Sequence, residues 1–196
     1  MMKSVFAAFV LVFATSAYAA DTYKIDTKAS TVTWKAAHKV GAVHDGGIAV
    51  KEGSVQVDKG QVSSGTITVD MTTITNNDLK DSPDYQKKLV GHLASGDFFN
   101  VEKYPTSTFK LTSITPKAKD EVLVKGELTM VGKTQPIEFP AKVTVAKGTV
   151  TGEANVTIDR TNWDLKYGSG NFFKSLTADK IINDTFELNL KLVAKK

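Results

Sequence analysis

The feature that most limits the fold of this chain is a two-residue rhythm of apolar side chains. Val32, Trp34 and Ala36 share one parity, as do Ile48 and Val50, Val55 and Val57, and Ile67, Val69 and Met71. The pattern resumes with Phe109 and Leu111, then Val122, Val124, Leu128 and Met130, then Ile137, Phe139, Val143 and Val145. It closes with Val150, Val156 and Ile158, and with Phe186, Leu188, Leu190 and Leu192. Alternation of this kind belongs to antiparallel strands with one face in a core and the other in water, whereas a parallel sheet under helices needs unbroken apolar runs. Turn chemistry falls between the segments, at Asp58-Lys59-Gly60, Val131-Gly132-Lys133 and Lys147-Gly148. About eight strands joined mainly by short turns predict a single all-β domain, either an up-and-down barrel or a sandwich.

Two stretches break the rhythm. In the first, Ser82 stands at a capping position, Pro83 suits the first helical turn, Asp84 complements the helix dipole and Gly96 is a stop signal. Tyr85, Leu89 and Leu93 fall at intervals of four along one side, so this helix carries an apolar stripe that must lie on something. It runs into Phe98 and Phe99, which would face opposite ways on a strand but can both point down from an irregular turn. The ends of a barrel are its weak points, since interior side chains there meet water unless covered. Leu89 to Phe99 is built as that cover. The second stretch, Trp163 to Ile182, is expected to fold over the barrel as a long loop with a helical turn.

Whether the interior is solid or hollow is a separate question, because an eight-stranded barrel either fills with side chains or holds one small ligand. Ala36, Gly126, Ala141, Gly152 and Ala154 share the inward parity and leave volume unfilled, part of which a neighbouring aromatic can take. Both readings stand at this point: a binding cavity, or a filled interaction or stress-response module without a ligand.

The N-terminus is set apart from the domain. Lys3, an apolar run from Val5 to Ala14 and the small-x-small triplet Ala17-Tyr18-Ala19 form the pattern of a cleaved secretory signal over residues 1–19, leaving a domain at residues 20–196. The run is too short for a bilayer span, which asks for about twenty residues. The expected location is a bacterial periplasm or the outside medium. The chain has no cysteine, which excludes disulfides, thiolate chemistry and cysteine-ligated metals. Its net charge of +4 includes Lys3 and is spread over lysines mixed with carboxylates, with Arg160 the only arginine. That pattern argues against nucleic acid and allows at most a transient contact with anionic head groups.

Four segments carry a resemblance. "YKIDTKASTVTWKAAHKVGAVHDGGI", "HLASGDFFNVEKYPTSTF", "VKGELTMVGKTQPIEFP" and "DRTNWDLKYGSGNFF" resemble, in order and separation, the signature segments of the YceI-like proteins. The resemblance implies an eight-stranded antiparallel lipocalin-like barrel, here with a short capping helix and a long covering loop. It also implies an exported binder of polyisoprenoids or other long amphiphiles, with quinones and prenyl phosphates among the possible guests: a carrier, buffer or sensor rather than an enzyme. The loop from Lys39 to Gly47 departs from many relatives in its His-x-Gly form at His44, which puts the ligand preference in doubt.

Binding a long tail needs apolar area and little chemistry. The expected lining is Trp34, Phe98, Phe99, Phe109, Leu128, Met130, Phe139, Phe172, Phe173 and Phe186, with Arg160 and Trp163 at a strand end. Arg160 takes the inward parity after Val156 and Ile158. It either meets a polar ligand head, pairs with Asp159, or braces the Trp163 loop. His38, His44 and His92 lack metal-site spacing, and His92 is expected to hydrogen-bond the loop beneath it. No nucleophile elbow, phosphate loop, HExxH or dinucleotide fingerprint occurs, and Tyr167 to Gly170 reads as a loop bend. No cofactor beyond a bound lipid or quinone is expected. The sequence allows a homodimer if an edge strand is left open.

Overall fold

The computed structural model describes residues 20–196; the secretory signal expected at residues 1–19 lies outside the described residues. Nine antiparallel strands follow in order: β1 (Asp21–Ile25), β2 (Thr31–His38), β3 (Val43–Asp58), β4 (Gln61–Asp70), β5 (Thr106–Ala118), β6 (Glu121–Met130), β7 (Lys133–Ala146), β8 (Thr149–Asp159) and β9 (Ile182–Lys195). One helix, α1 (Pro83–Ala94), lies between β4 and β5. Among the described residues no helix is long and apolar enough to cross a membrane.

The sheet closes on itself as an eight-position barrel. Each of β3 to β9 pairs with its sequence neighbour except across the ends of the chain, where β9 pairs with both β2 and β1, and both of these pair with β3. β1 and β2 therefore share one place in the wall. What separates them is the Asp26 turn: its carboxylate accepts from the backbone N–H groups of Lys28 and Ala29, and its carbonyl from that of Ser30. Closure removes the open edge that would have invited a second chain.

Register fixes what points inward. Val32 faces Ile48 and Leu190, Trp34 faces Gly46 and Leu188, and Ala36 faces His44 and Phe186. Because side chains alternate with period two, these registers turn the apolar parity of every strand to the interior. The turns Lys59-Gly60, Val131-Gly132 and Lys147-Gly148 hold both central residues at positive φ, the tight hairpin geometry that suits strand twist.

The two ends of the barrel differ. At one end lie the three short hairpin turns β3–β4, β5–β6 and β7–β8, with β1 and the end of β9. Here Tyr23, Val57, Val62, Val150 and Ala194 are buried against Ile25, Val55, Leu111, Val143 and Val145, forming a plug. At the other end lie the long connections: residues 71–105 with α1, residues 160–181, and the β2–β3 loop. A second core, containing Val124, Leu128, Met130, Phe139, Val156, Ile158, Trp163 and Leu165, runs from mid-barrel toward this mouth.

Helix α1 departs from the expected capping. Ser82 makes no side-chain capping bond, and only its carbonyl receives the Gln86 N–H. The anchor is instead Gln86 Nε2, which donates to the Asn76 carbonyl at 2.7 Å. The helix stops at Ala94, before Gly96, where Ser95 Oγ donates back to the His92 carbonyl. No residue of α1 is buried, and Tyr85 is 68% exposed.

Candidate functional site

The barrel encloses an apolar cavity of about 250 Å³ that extends from Val55, Val62, Val150 and Leu192 beside the plug to Leu93, Phe98 and Phe99 beneath the cap. For scale, an engineered apolar cavity of about 150 Å³ stays dry and takes up benzene. On β9 the lining runs from Ile182 to Leu192. At ~3.3 Å per residue and a strand tilt of ~40°, that is about 25 Å along the barrel axis. The space is long and narrow, the shape of an extended hydrocarbon chain.

Small residues decide where it is empty. Ala36, Ala141, Gly152 and Ala154 all line the cavity. A Cβ added at Gly152 would meet nothing within 4 Å. Gly126 behaves oppositely: its missing side chain is replaced by the Phe109 ring, which lies directly over it. Phe109 also packs on Phe139 at 5.7 Å between centroids, so this sector of the wall is filled while the Gly152 sector is open.

Of the expected lining residues, Trp34, Phe98, Phe99, Phe109, Leu128, Met130, Phe139, Arg160 and Phe186 come together around this one space. Three others do not. Phe172 and Phe173 sit in an irregular loop, where adjacent aromatics have no period to turn them inward, and each is 49% exposed. Trp163 is buried in a 3-10 turn but does not line the cavity, and its Nε1 donates to the Leu128 carbonyl at 3.0 Å. It is core rather than lining.

Arg160 acts as a brace. Its Nε donates to the Asn183 carbonyl at 3.1 Å, Nη2 to the Ile182 carbonyl at 3.1 Å, and Nη1 to the Leu165 carbonyl. Its ionic partner is Asp184, 3.6 Å away, and not Asp159, whose carboxylate accepts instead from the backbone N–H and hydroxyl of Thr161. Burial pulls the guanidinium pKa down from its ordinary value, and the carboxylates of Asp184 and Asp159 push it back up. Arginine nevertheless stays charged at physiological pH. With its donors committed to backbone, the cation ties the covering loop to β9.

Ser107 is the polar residue that the sequence reading passed over. Among the described residues five polar side chains are buried, and Ser30, Asn76, Arg160 and Ser169 all hydrogen-bond, whereas Ser107 forms no side-chain hydrogen bond there. It lines the cavity near the mouth, on the parity of Phe109 and Leu111. That parity was visible in the sequence. Ser169, in the Tyr167 to Gly170 bend, is wholly buried and takes the Asn171 N–H, so it is no exposed nucleophile.

The mouth is held shut by polar and aromatic contacts. His92 Nε2 lies 3.1 Å from Asp97 Oδ2, and its ring meets Phe98 at 5.0 Å and Tyr167 at 4.6 Å, edge to face. The segment ahead of α1 docks on β3 through Asp78, which takes the Asp45 N–H at 3.0 Å, His44 Nδ1 at 2.8 Å and the Asn76 amide. Burial pushes the Asp78 pKa up, but the Asp45 N–H, His44 and Asn76 together hold it below the ordinary carboxylate value. Gly46 lets this segment close in, since any Cβ there would run into the Thr75 carbonyl, which accepts from Trp34 Nε1. His38 contacts the Asp179 carbonyl at 2.9 Å. Among the described residues no three His, Asp or Glu side chains converge as a metal site would need.

A hollow, capped, eight-position antiparallel barrel is the geometry that the YceI-like resemblance implied, and the YceI-like domain profile matches residues 23–194. The chain belongs to the YceI-like family. A UPF0312 protein of Pseudomonas putida is 33% identical over 150 residues, covering 72% of this chain and 73% of its own length. A UPF0312 protein of Vibrio cholerae is 30% identical over 129 residues, 65% of each chain. Among solved structures, Burkholderia cenocepacia BcnA matches with a TM-score of 0.67 at 24% identity, covering 87% of this chain and 99% of that one. A polyisoprenoid binding domain from Saccharophagus degradans, implicated in plant cell wall breakdown, matches with a TM-score of 0.61 at 14% identity over 88% and 97% of the two chains. At these identities the likeness to the solved structures is one of fold.

Proposed function

We propose that this YceI-like protein is an exported, non-enzymatic carrier that holds one isoprenoid or similar long amphiphile, tail toward the plug and head at the mouth. The observation that carries this reading is the unbroken apolar cavity from plug to cap, with open space at Gly152. Each methylene moved from water into it contributes about 0.8 kcal/mol, so about fifteen supply ~12 kcal/mol before association costs of several kcal/mol. Micromolar or tighter affinity needs no bond-making group.

The head is read as uncharged. Among the described residues the one cation lining the cavity, Arg160, is already spent on three carbonyls and Asp184. The hydroxyl of Ser107, which forms no hydrogen bond among the described residues, suits a single carbonyl or hydroxyl on the guest. A prenyl alcohol or quinone therefore fits better than a prenyl phosphate, whose charge would be buried without a partner. The experiment is organic extraction of protein purified from its native host, followed by mass spectrometry, with the N-terminal residue of the same sample read to locate signal cleavage. A neutral prenyl lipid and a start near Ala20 or Asp21 are expected. Clean extracts, together with no uptake of prenyl alcohol or quinone from detergent, would reject the carrier.

A further inference from the structure

The large hydrophobic side chains left exposed among the described residues are Val40, Val43, Tyr85, Tyr167, Phe172 and Phe173, between 44 and 68% accessible. Scattered singly over a surface, such residues need no explanation. Here every one belongs to a connection at the mouth: the β2–β3 loop and the first residue of β3, helix α1, and the covering loop. The plug end exposes none. These connections touch one another, since the Lys39 N–H donates to the Ile181 carbonyl at 2.8 Å and His92 packs on Tyr167 at 4.6 Å. They form one rim around the entrance to the cavity.

Lysines gather beside the apolar tips of the rim. Residues 39–43 carry Lys39, residues 85–88 carry Lys87 and Lys88, and residues 166–174 carry Lys166 and Lys174, with no carboxylate in any of the three segments. Of the nearby acids, Asp164 is held at 3.0 Å by both Lys133 and Lys166, Asp179 pairs with Lys180 and Asp97 with His92, while Asp81 and Asp84 stand exposed at the start of α1, Asp84 one turn from Lys87 and Lys88. Two lysines lie over the tips themselves: Lys88 Nζ is 5.5 Å from the Tyr85 ring centre, and Lys166 Nζ is 4.8 Å from that of Phe172. Aromatic rings beside flexible cations are what a bilayer interface accepts, the rings at head-group level and the ammonium groups against anionic phosphates.

We propose that the mouth rim is a docking surface for an anionic lipid bilayer, on which Phe172, Phe173 and Tyr85 insert and Lys87, Lys88 and Lys174 meet head groups. The occupant is a membrane rather than a second copy, because rim lysines facing rim lysines would repel across a two-fold contact. The surface deepens the carrier reading by placing the cavity entrance where a lipid can pass without crossing water.

The test is co-sedimentation of the protein with vesicles of phosphatidylethanolamine containing about one-third phosphatidylglycerol, beside vesicles of phosphatidylcholine alone, across a salt series. Binding to the anionic vesicles that weakens with salt is expected. F172S with F173S should lower it about tenfold or more, as apolar insertion is lost. K87E, K88E and K174E should each lower it about fivefold or more. K59E and K147E, in the turns of the opposite pole, should leave it unchanged, and circular dichroism shows that each variant is folded. No binding to either vesicle, or equal losses from the two poles, overturns the proposal. So does a sedimentation-velocity dimer that F172S with F173S dissolves while vesicle binding is absent, since the occupant would then be a second copy. Vesicle binding is measured on delipidated protein, so an empty native extract with intact vesicle binding breaks the carrier and spares the rim. A loaded cavity with no vesicle binding does the reverse.

Discussion

The two ends of this barrel solve the same problem with different chemistry. At the plug, short hairpins bring Tyr23, Val57, Val62, Val150 and Ala194 together, and water is kept out by packing alone. At the mouth, long connections do the work with a buried arginine, the Asp78 cluster and a helix with no buried residue. Packed aliphatic surface holds at any pH and opens only by unfolding. A cover held by a few directed contacts can be released piecemeal, which is the property that an entrance needs.

The comparison breaks first at Arg160. Replacing it with Met leaves the Leu165, Ile182 and Asn183 carbonyls and Asp184 without their partner, and urea unfolding should register a loss of about 3–5 kcal/mol. A change under about 1 kcal/mol would mean that the covering loop does not depend on the brace. At the opposite end, Tyr23→Ala should cost about 3 kcal/mol through its cavity, while guest dissociation measured by stopped flow stays near the wild-type rate. If dissociation sped up as much as it does in mouth variants, the guest would be leaving through the plug.

A smaller effect sharpens the picture of the interior. Gly152→Leu places atoms in open space, removing room for about two methylenes, ~1.6 kcal/mol or about 15-fold in affinity for a prenyl alcohol, with the melting temperature kept. At Gly126 the same change meets the Phe109 ring and should destabilise the fold. The smallest effect is with pH. The folded-state pKa of Asp78 is depressed, so its contribution is complete above the ordinary value and fades as pH falls through the lowered one, below about 4. Hydrogen exchange in that range should quicken at the Thr75 and Asn77 amides, which bond to β3 at the mouth, before it quickens at Val57 in the plug.

The strands were legible because alternation is a local property, and it turned Ala36, Ala141, Gly152 and Ala154 to the cavity as expected. The same parity covers Gly126, yet that position is full. Occupancy depends on which side chain a neighbouring strand supplies, here Phe109, and that is set by register. Phe98 and Phe99 were legible as a cap, but Phe172 and Phe173, just as adjacent in sequence, face solvent. Irregular segments have no period to read. Arg160 was placed inward correctly, while two of the carbonyls that capture it belong to β9, more than twenty residues on, a distance over which sequence pattern carries no information. Ser107 was readable and overlooked, because a lone serine among phenylalanines and leucines looks like noise until Ser30, Asn76, Arg160 and Ser169 are seen to have partners.

The Asp26 turn has a bearing on how the molecule is made. The hydroxyl of the turn's last residue, Ser30, accepts from the Val193 N–H and donates to its carbonyl, across 163 positions of chain. Nearly the whole polypeptide must be present before that seam can be stitched. Such distant pairings make assembly slow. Until the final strand arrives the wall is an open, greasy sheet, so the container and its last seam come into being together.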